Sequence, residues 1–227
     1  MKRITVLLTA LLLALSMVGT AAANNSADRQ ASDVYEWPAA DPPVQVEGAD
    51  ARLVRTDAGV SYNLRTTGLE KGHATSIWWV IFNNPDECVG PCGVPDLFNP
   101  AVEASVQSGG GNMVGGSGNS AYADHLRIGE TTNPHPFIHE DSEGRDEYAP
   151  MDPPIPPPVA NHGLLNPRGA EIHLVLRTHG PAIPGMNHVM FNSYEVGCSP
   201  ATSFGAGEGT NDCADVQFTI FLPPPED

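Results

Sequence analysis

The stretch TSIWWVIF, residues 75–82, decides how this chain is read. Taken as a strand, it sends Ile77, Trp79 and Ile81 to one side and Trp78, Val80 and Phe82 to the other, because successive side chains alternate. Both faces are apolar and both need cover, which makes this a central strand of the core. The two tryptophans therefore belong to opposite faces and to the interior, and they do not form one carbohydrate-stacking platform.

Working outward, GVSYNLRT (59–66) alternates in the manner of a half-buried strand. Val60, Tyr62 and Leu64 share one face, and Ser61, Asn63 and Arg65 the other. AVEASVQ (101–107), AYADHLRI (121–128), EIHLVLRT (171–178), HVMFNSYEV (188–196) and ADVQFTIF (214–221) are further candidate strands. Between them lie runs rich in glycine and proline, notably SGGGNMVGGSGNS (108–120) and YAPMDPPIPPPV (148–159). The first reads as a flexible hairpin or long loop, the second as extended polyproline. Beyond the N-terminal apolar run, no window sustains a helical period over three turns. About eight short strands with this punctuation predict an all-β chain, an antiparallel β-sandwich or jelly-roll-like barrel with long Gly/Pro-rich loops. GLEKGHATSIWWVIFNNP from Gly68 resembles GLLNPRGAEIHLVLRTHGP from Gly163, which suggests equivalent positions in two half-sandwiches.

The chain opens MKRITVLLTALLLALSMVGTAAANN. Lys2 and Arg3, an apolar run from Ile4 to Val18 and Ala21–Ala23 have the order of a secretory signal peptide, cut after Ala23. The expected organisation is a signal peptide at 1–23, a polar, proline-containing lead-in at 24–50 and a single β-sandwich domain at 51–227. The formal net charge is −16, and removal of Lys2 and Arg3 takes it to −18. Such a surface repels phosphate backbones and anionic lipid heads, which argues against nucleic acid and polybasic membrane binding.

The cysteines are Cys88, Cys92, Cys198 and Cys213. In an exported chain four cysteines point to two disulfides, and the simplest of the three pairings joins neighbours in sequence. Spacings of C-x3-C and C-x14-C do not repeat the paired C-x2-C of structural zinc sites.

Four histidines are candidate ligands for a divalent metal ion: His125, His173, His179 and His188. On an extended EIHLVLRT strand, Ile172, Leu174 and Leu176 point into the core, while Glu171, His173, Val175, Arg177 and His179 share the opposite face. His173 and His179 then lie about 20 Å apart along the strand, too far to share one ion unless the chain bends. The plain alternative makes them solvent-facing or hydrogen-bonded residues of a sheet. A second cluster, around Asp141, Glu143, Asp146 and Glu147, crowds hard oxygen ligands that suit calcium, although the spacing is not that of an EF-hand. The chain contains no G-x-S-x-G, Walker, Rossmann or H-E-x-x-H pattern.

The segments TTGLEKGHATSIWWVIFNNPDEC, DLFNPAVEASVQ and GLLNPRGAEIHLVLRTHGPAIPG resemble a group of exported prokaryotic β-proteins, over most of Leu53 to Phe221. GLEKG and THGPAIPG are also similar to parts of the CHRD (chordin-type) domain, in which a Gly-Leu turn precedes a His-x-His-Gly strand end. His179 and Gly180 match the second half of that motif, whereas Arg177 stands where its first histidine would be. The resemblance implies an extracellular β-domain and no enzyme activity.

Together these readings predict an exported, disulfide-stabilised β-sandwich with a non-catalytic binding or surface-associated role, its partner an extracellular protein or glycan. The alternatives are a metal-binding protein or metal-dependent enzyme built on the sheet histidines, and a calcium-stabilised extracellular module.

Overall fold

The computed structural model describes residues 27–38, 40, 42–131, 161–202 and 209–225. The signal peptide, the calcium candidates Asp141, Glu143, Asp146 and Glu147, and the proline run at 153–158 lie outside the described residues. The architecture is an all-β sandwich of two antiparallel sheets. Its nine strands among the described residues are β1 (Asp28–Ser32), β2 (Tyr35–Glu36), β3 (Asp50–Thr56), β4 (Gly59–Thr66), β5 (His73–Phe82), β6 (Ser105–Met113), β7 (Ser120–Arg127), β8 (Glu171–Pro181) and β9 (Ala214–Phe221). One sheet has the order β1-β3-β4-β7 and the other β2-β9-β8-β5-β6.

The apolar-on-both-faces strand β5 sits inside the larger sheet, between β8 and β6. Its inward residues Ile77, Trp79 and Ile81 join Ile172, Leu174 and Leu176 of β8 in the main core. From the other sheet come Leu53 of β3, Val60, Tyr62 and Leu64 of β4, and Tyr122 and Leu126 of β7. Each such fully buried aliphatic side chain contributes on the order of 2 kcal/mol of transfer free energy. Trp79 also ties the sheets together. Its ring meets Tyr62 edge-on at 4.8 Å between centroids, and its indole Nε1 donates to Asp124 Oδ2 at 3.2 Å.

Four expectations need correction. The lead-in is not outside the domain: β1 pairs along its length with β3, β2 pairs with β9, and Val34 and Val46 are buried in the core. The backbone partners, and not any alternation in DRQAS, hold β1 in place. The glycine run is half strand, since β6 continues through Gly109, Gly110 and Gly111 to Met113. Gly109 and Gly111 are overhung, and Gly110 takes a left-handed φ of 84°. A Cβ on Gly111 would stand 2.4 Å from the Thr75 carbonyl and 2.7 Å from Phe191 Cβ.

HVMFNSYEV is not a strand. It forms a one-turn helix, α1 (Asn187–Met190), followed by turns, with Met190 and Tyr194 facing the protein at a spacing of four. Finally, the two similar segments are not related across half-sandwiches. Their strands β5 and β8 are antiparallel neighbours in one sheet, with Trp79 opposite Leu174 and Ile81 opposite Ile172.

Arg55 closes one end of the sandwich. It follows the inward residues Ala51 and Leu53 on β3 and is fully buried. Its guanidinium donates to Gln30 Oε1 at 2.7 Å and to the carbonyls of Pro167, Ala170, Phe221 and Leu222 at 2.8 to 3.3 Å. Burial pulls its pKa down to about 10, against a smaller opposing influence of Asp28, so it stays charged at neutral pH.

Candidate functional site

The outer face of the five-stranded sheet is covered by the connections that follow β5 and β8. Trp78, Val106 and Tyr194 form one small core there, with Val80, Leu97 and Val175 packed against it. Phe82, Cys92, Val102 and Ala104 form another. Cys88 is bonded to Cys92 and Cys198 to Cys213, as the simplest pairing predicts, with Cα separations of 5.2 and 5.4 Å. Both bridges lie in the covering segments, where little regular structure would otherwise hold the chain down.

Because this face is covered, the residues that β8 directs outward are interior residues. Arg177 is buried, and its guanidinium lies 3.8 Å from the Tyr194 ring centroid. It donates from Nε to the Tyr194 carbonyl at 3.1 Å, from Nη1 to Asp215 Oδ1 at 3.1 Å and from Nη2 to the Thr202 carbonyl at 2.6 Å. Burial raises the Asp215 pKa, opposed by Arg177 and by a hydrogen bond from Tyr194. Burial likewise raises that of the Tyr194 phenol.

His179 has no solvent exposure, and of the two plain alternatives, solvent-facing or hydrogen-bonded, it is the hydrogen-bonded one. The Val196 carbonyl, 3.1 Å from Nδ1, can only accept, so Nδ1 carries the proton. Nε2 then accepts from Ser76 Oγ at 2.8 Å, and Ser76 in turn accepts from the Trp78 indole at 3.0 Å. Burial first, and the nearby Arg177 charge second, lower its pKa to about 4.

The other metal candidates are elsewhere. His173 is on the same continuous strand as His179, bonded through Nε2 to Glu171 Oε1 at 2.7 Å and lying beside the Phe82 ring. His125 is exposed on the opposite sheet, its Nδ1 2.8 Å from Ser61 Oγ. His188 is exposed on α1. Of the four, the structure places only His179 in a potential ligand cluster among the described residues, with Cys198 and Cys213, all three ligand atoms within 4.8 Å of one another. Those sulfurs are committed to each other in the disulfide, which leaves the imidazole as a hydrogen-bonded prop beneath it.

The outer face of the four-stranded sheet is the opposite case. Arg29 on β1, Arg52 on β3, Arg65 on β4 and Ala121, Ala123, His125 and Arg127 on β7 are all exposed. Ser61 and Asn63 stand between them. Four of the nine arginines in the chain therefore share one bare face of a protein whose net charge is −16. Sequence reading missed this grouping. The alternation of Arg52 and Arg65 with buried neighbours was the available signal, but the order of strands was needed to put them side by side.

No family model, curated protein or solved structure matches the chain.

Proposed function

We propose that this protein is an exported, disulfide-stabilised β-sandwich with a non-catalytic binding or surface-associated role. The observation that carries the reading is the contrast between the two outer sheet faces. On the five-stranded sheet, Arg177, His179, Tyr194 and Asp215 are engaged in holding the covering segments, and two disulfides pin that cover in place. On the four-stranded sheet the outer face is exposed and polar, supported from beneath by the main core. A rigid scaffold with one bare face is built to present a surface. The signal-like N-terminus and the resemblance to exported β-proteins and the CHRD domain support the same reading, with an extracellular protein or glycan as partner.

The test is cell fractionation with N-terminal sequencing, combined with a broad hydrolase and oxidoreductase substrate screen. The expected result is a chain beginning at Asn24 outside the cytoplasm, retained on extracellular or surface material and inert toward the substrates. An unprocessed cytoplasmic chain, or turnover of any substrate class, overturns the proposal.

A further inference from the structure

We propose that the bare face of the four-stranded sheet binds a linear polysaccharide bearing carboxylate or sulfate groups, along a diagonal stripe formed by Arg29, Arg52 and Arg65. The inference rests on the binding-module reading above and names the ligand class of its exposed face.

The stripe follows from the strand register. Arg29 on β1 stands opposite Val54, so Arg52, two residues from Val54 on β3, is its diagonal neighbour. Arg52 stands opposite Asn63, so Arg65, two residues further along β4, is the next diagonal neighbour. Both steps run in the same direction across the sheet. Diagonal neighbours on one face are about 7 to 8 Å apart, so three guanidiniums line a path about 15 Å long. Among the described residues, Arg29 and Arg65 have no ion-pair partner, and Arg52 has only the exposed contact to Asp50 at 3.6 Å. Ala31, Val54 and Asn63 lie beside the stripe on the same face.

The ligand class follows from charge and shape. Guanidinium forks match planar oxoanions, carboxylate above all, in two-point contacts. Four exposed arginines share this face while the whole chain carries −16, so a broad anionic front such as a bilayer or a nucleic acid duplex would also meet exposed acids off it, among them Glu36, Glu47, Asp57 and Glu70. A thin single polymer can follow the stripe without touching them. A flat sheet face also offers no protruding helix or ribbon for a major groove, and this one carries no aromatic platform for single-stranded bases. Asp50 completes the picture as an internal competitor. It contacts Arg52 and stands opposite Arg65 in the register, so its charge offsets part of the stripe's own.

The experiment measures binding of the purified protein to polygalacturonate at about 0.02 M salt, where the screening length exceeds the length of the stripe. Fully methyl-esterified polygalacturonate, duplex DNA and phosphatidylserine vesicles serve as comparators. The expected result is binding to the free acid only, weakened by salt. Combining Arg29→Ser, Arg52→Ser and Arg65→Ser should weaken it about tenfold, as three exposed ion contacts would. Lys71→Ser, an exposed cation off this face, should leave it within about twofold, since it is not one of the three ion contacts. Asp50→Asn should tighten it. If the triple variant fails to fold, Arg29→Ser and Arg65→Ser taken singly carry the same comparison, each weakening binding less than the triple.

Equal binding by the ester, unchanged binding by the stripe variants, or preference for DNA or vesicles overturns the inference. Any of these results in a processed, catalytically inert protein leaves the binding-module reading standing. Substrate turnover would remove that reading instead.

Discussion

Ser76 and His179 are joined by a directed hydrogen bond: the serine hydroxyl, itself held by the Trp78 indole, donates to the imidazole Nε2 at 2.8 Å and fixes which nitrogen is bare. The imidazole is held neutral, with its pKa lowered from 6.5 to about 4, mainly by burial. The unfolded chain therefore binds more protons than the folded one between those values, and stability rises with pH across the window. The contribution is fully present above pH 6.5 and is lost as pH falls toward 4. A shift of this size corresponds to roughly 3 kcal/mol. Urea unfolding at several pH values should show this slope in the parent protein and lose it in His179→Gln. Parallel slopes would remove His179 as the origin.

Arg177 binds Asp215, two backbone carbonyls and the face of Tyr194 at once. Arg177→Met keeps the stem and removes the charge, leaving a mostly buried carboxylate without its cation. The expected loss is about 3 kcal/mol, the scale for breaking a buried pair from one side. Asp215→Asn in the same background should recover part of it, which a double-mutant cycle in guanidinium chloride measures. Additive losses would mean the pair does not couple.

The two disulfides should differ in weight. Cys198 and Cys213 are 15 residues apart and Cys88 and Cys92 are 4 apart. On loop entropy the longer bridge contributes about 3 kcal/mol and the shorter about 2. The longer also presses on His179, so replacing both its cysteines with alanine should loosen Tyr194 and Trp78, seen as a change in near-ultraviolet dichroism. The shorter pair replaced alike should leave that signal in place.

Gly111→Ala should be the most damaging change in the glycine run. Its Cβ would meet backbone and Phe191 within 3 Å, for a cost of about 2 kcal/mol or more. Gly115→Ala, four residues on, points a methyl into open space and should fall within about 0.5 kcal/mol of the parent. Comparable melting temperatures for the two variants would contradict the close approach.

These relationships mark where sequence reading succeeds. β4 and β9 have the bounds read from residues 59–66 and 214–221, β4 because it alternates against a single core, whereas the buried residues of β9 are Gln217, Phe218, Thr219 and Phe221. β5 is central, as its double apolar pattern requires. β1 escaped notice since DRQAS has no apolar face; it is held by β3 and by the grip of Arg55 on Gln30. The burial of His179 was illegible for a different reason. Its cover comes from Val196 and Cys198, and no periodicity within β8 reports what a later segment lays over it. The arginine stripe is likewise a property of strand order, which local pattern does not encode.

The Arg55 clasp has a topological consequence. One guanidinium grips Gln30 near the first described strand and the carbonyls of Phe221 and Leu222 near the last, while Gln30 itself donates to Leu222. The beginning and end of the folded unit are therefore moored at one point. A linker of a few residues could bridge them for circular permutation, or the whole unit could be spliced into a host loop, with the arginine acting as the knot that keeps both ends from fraying.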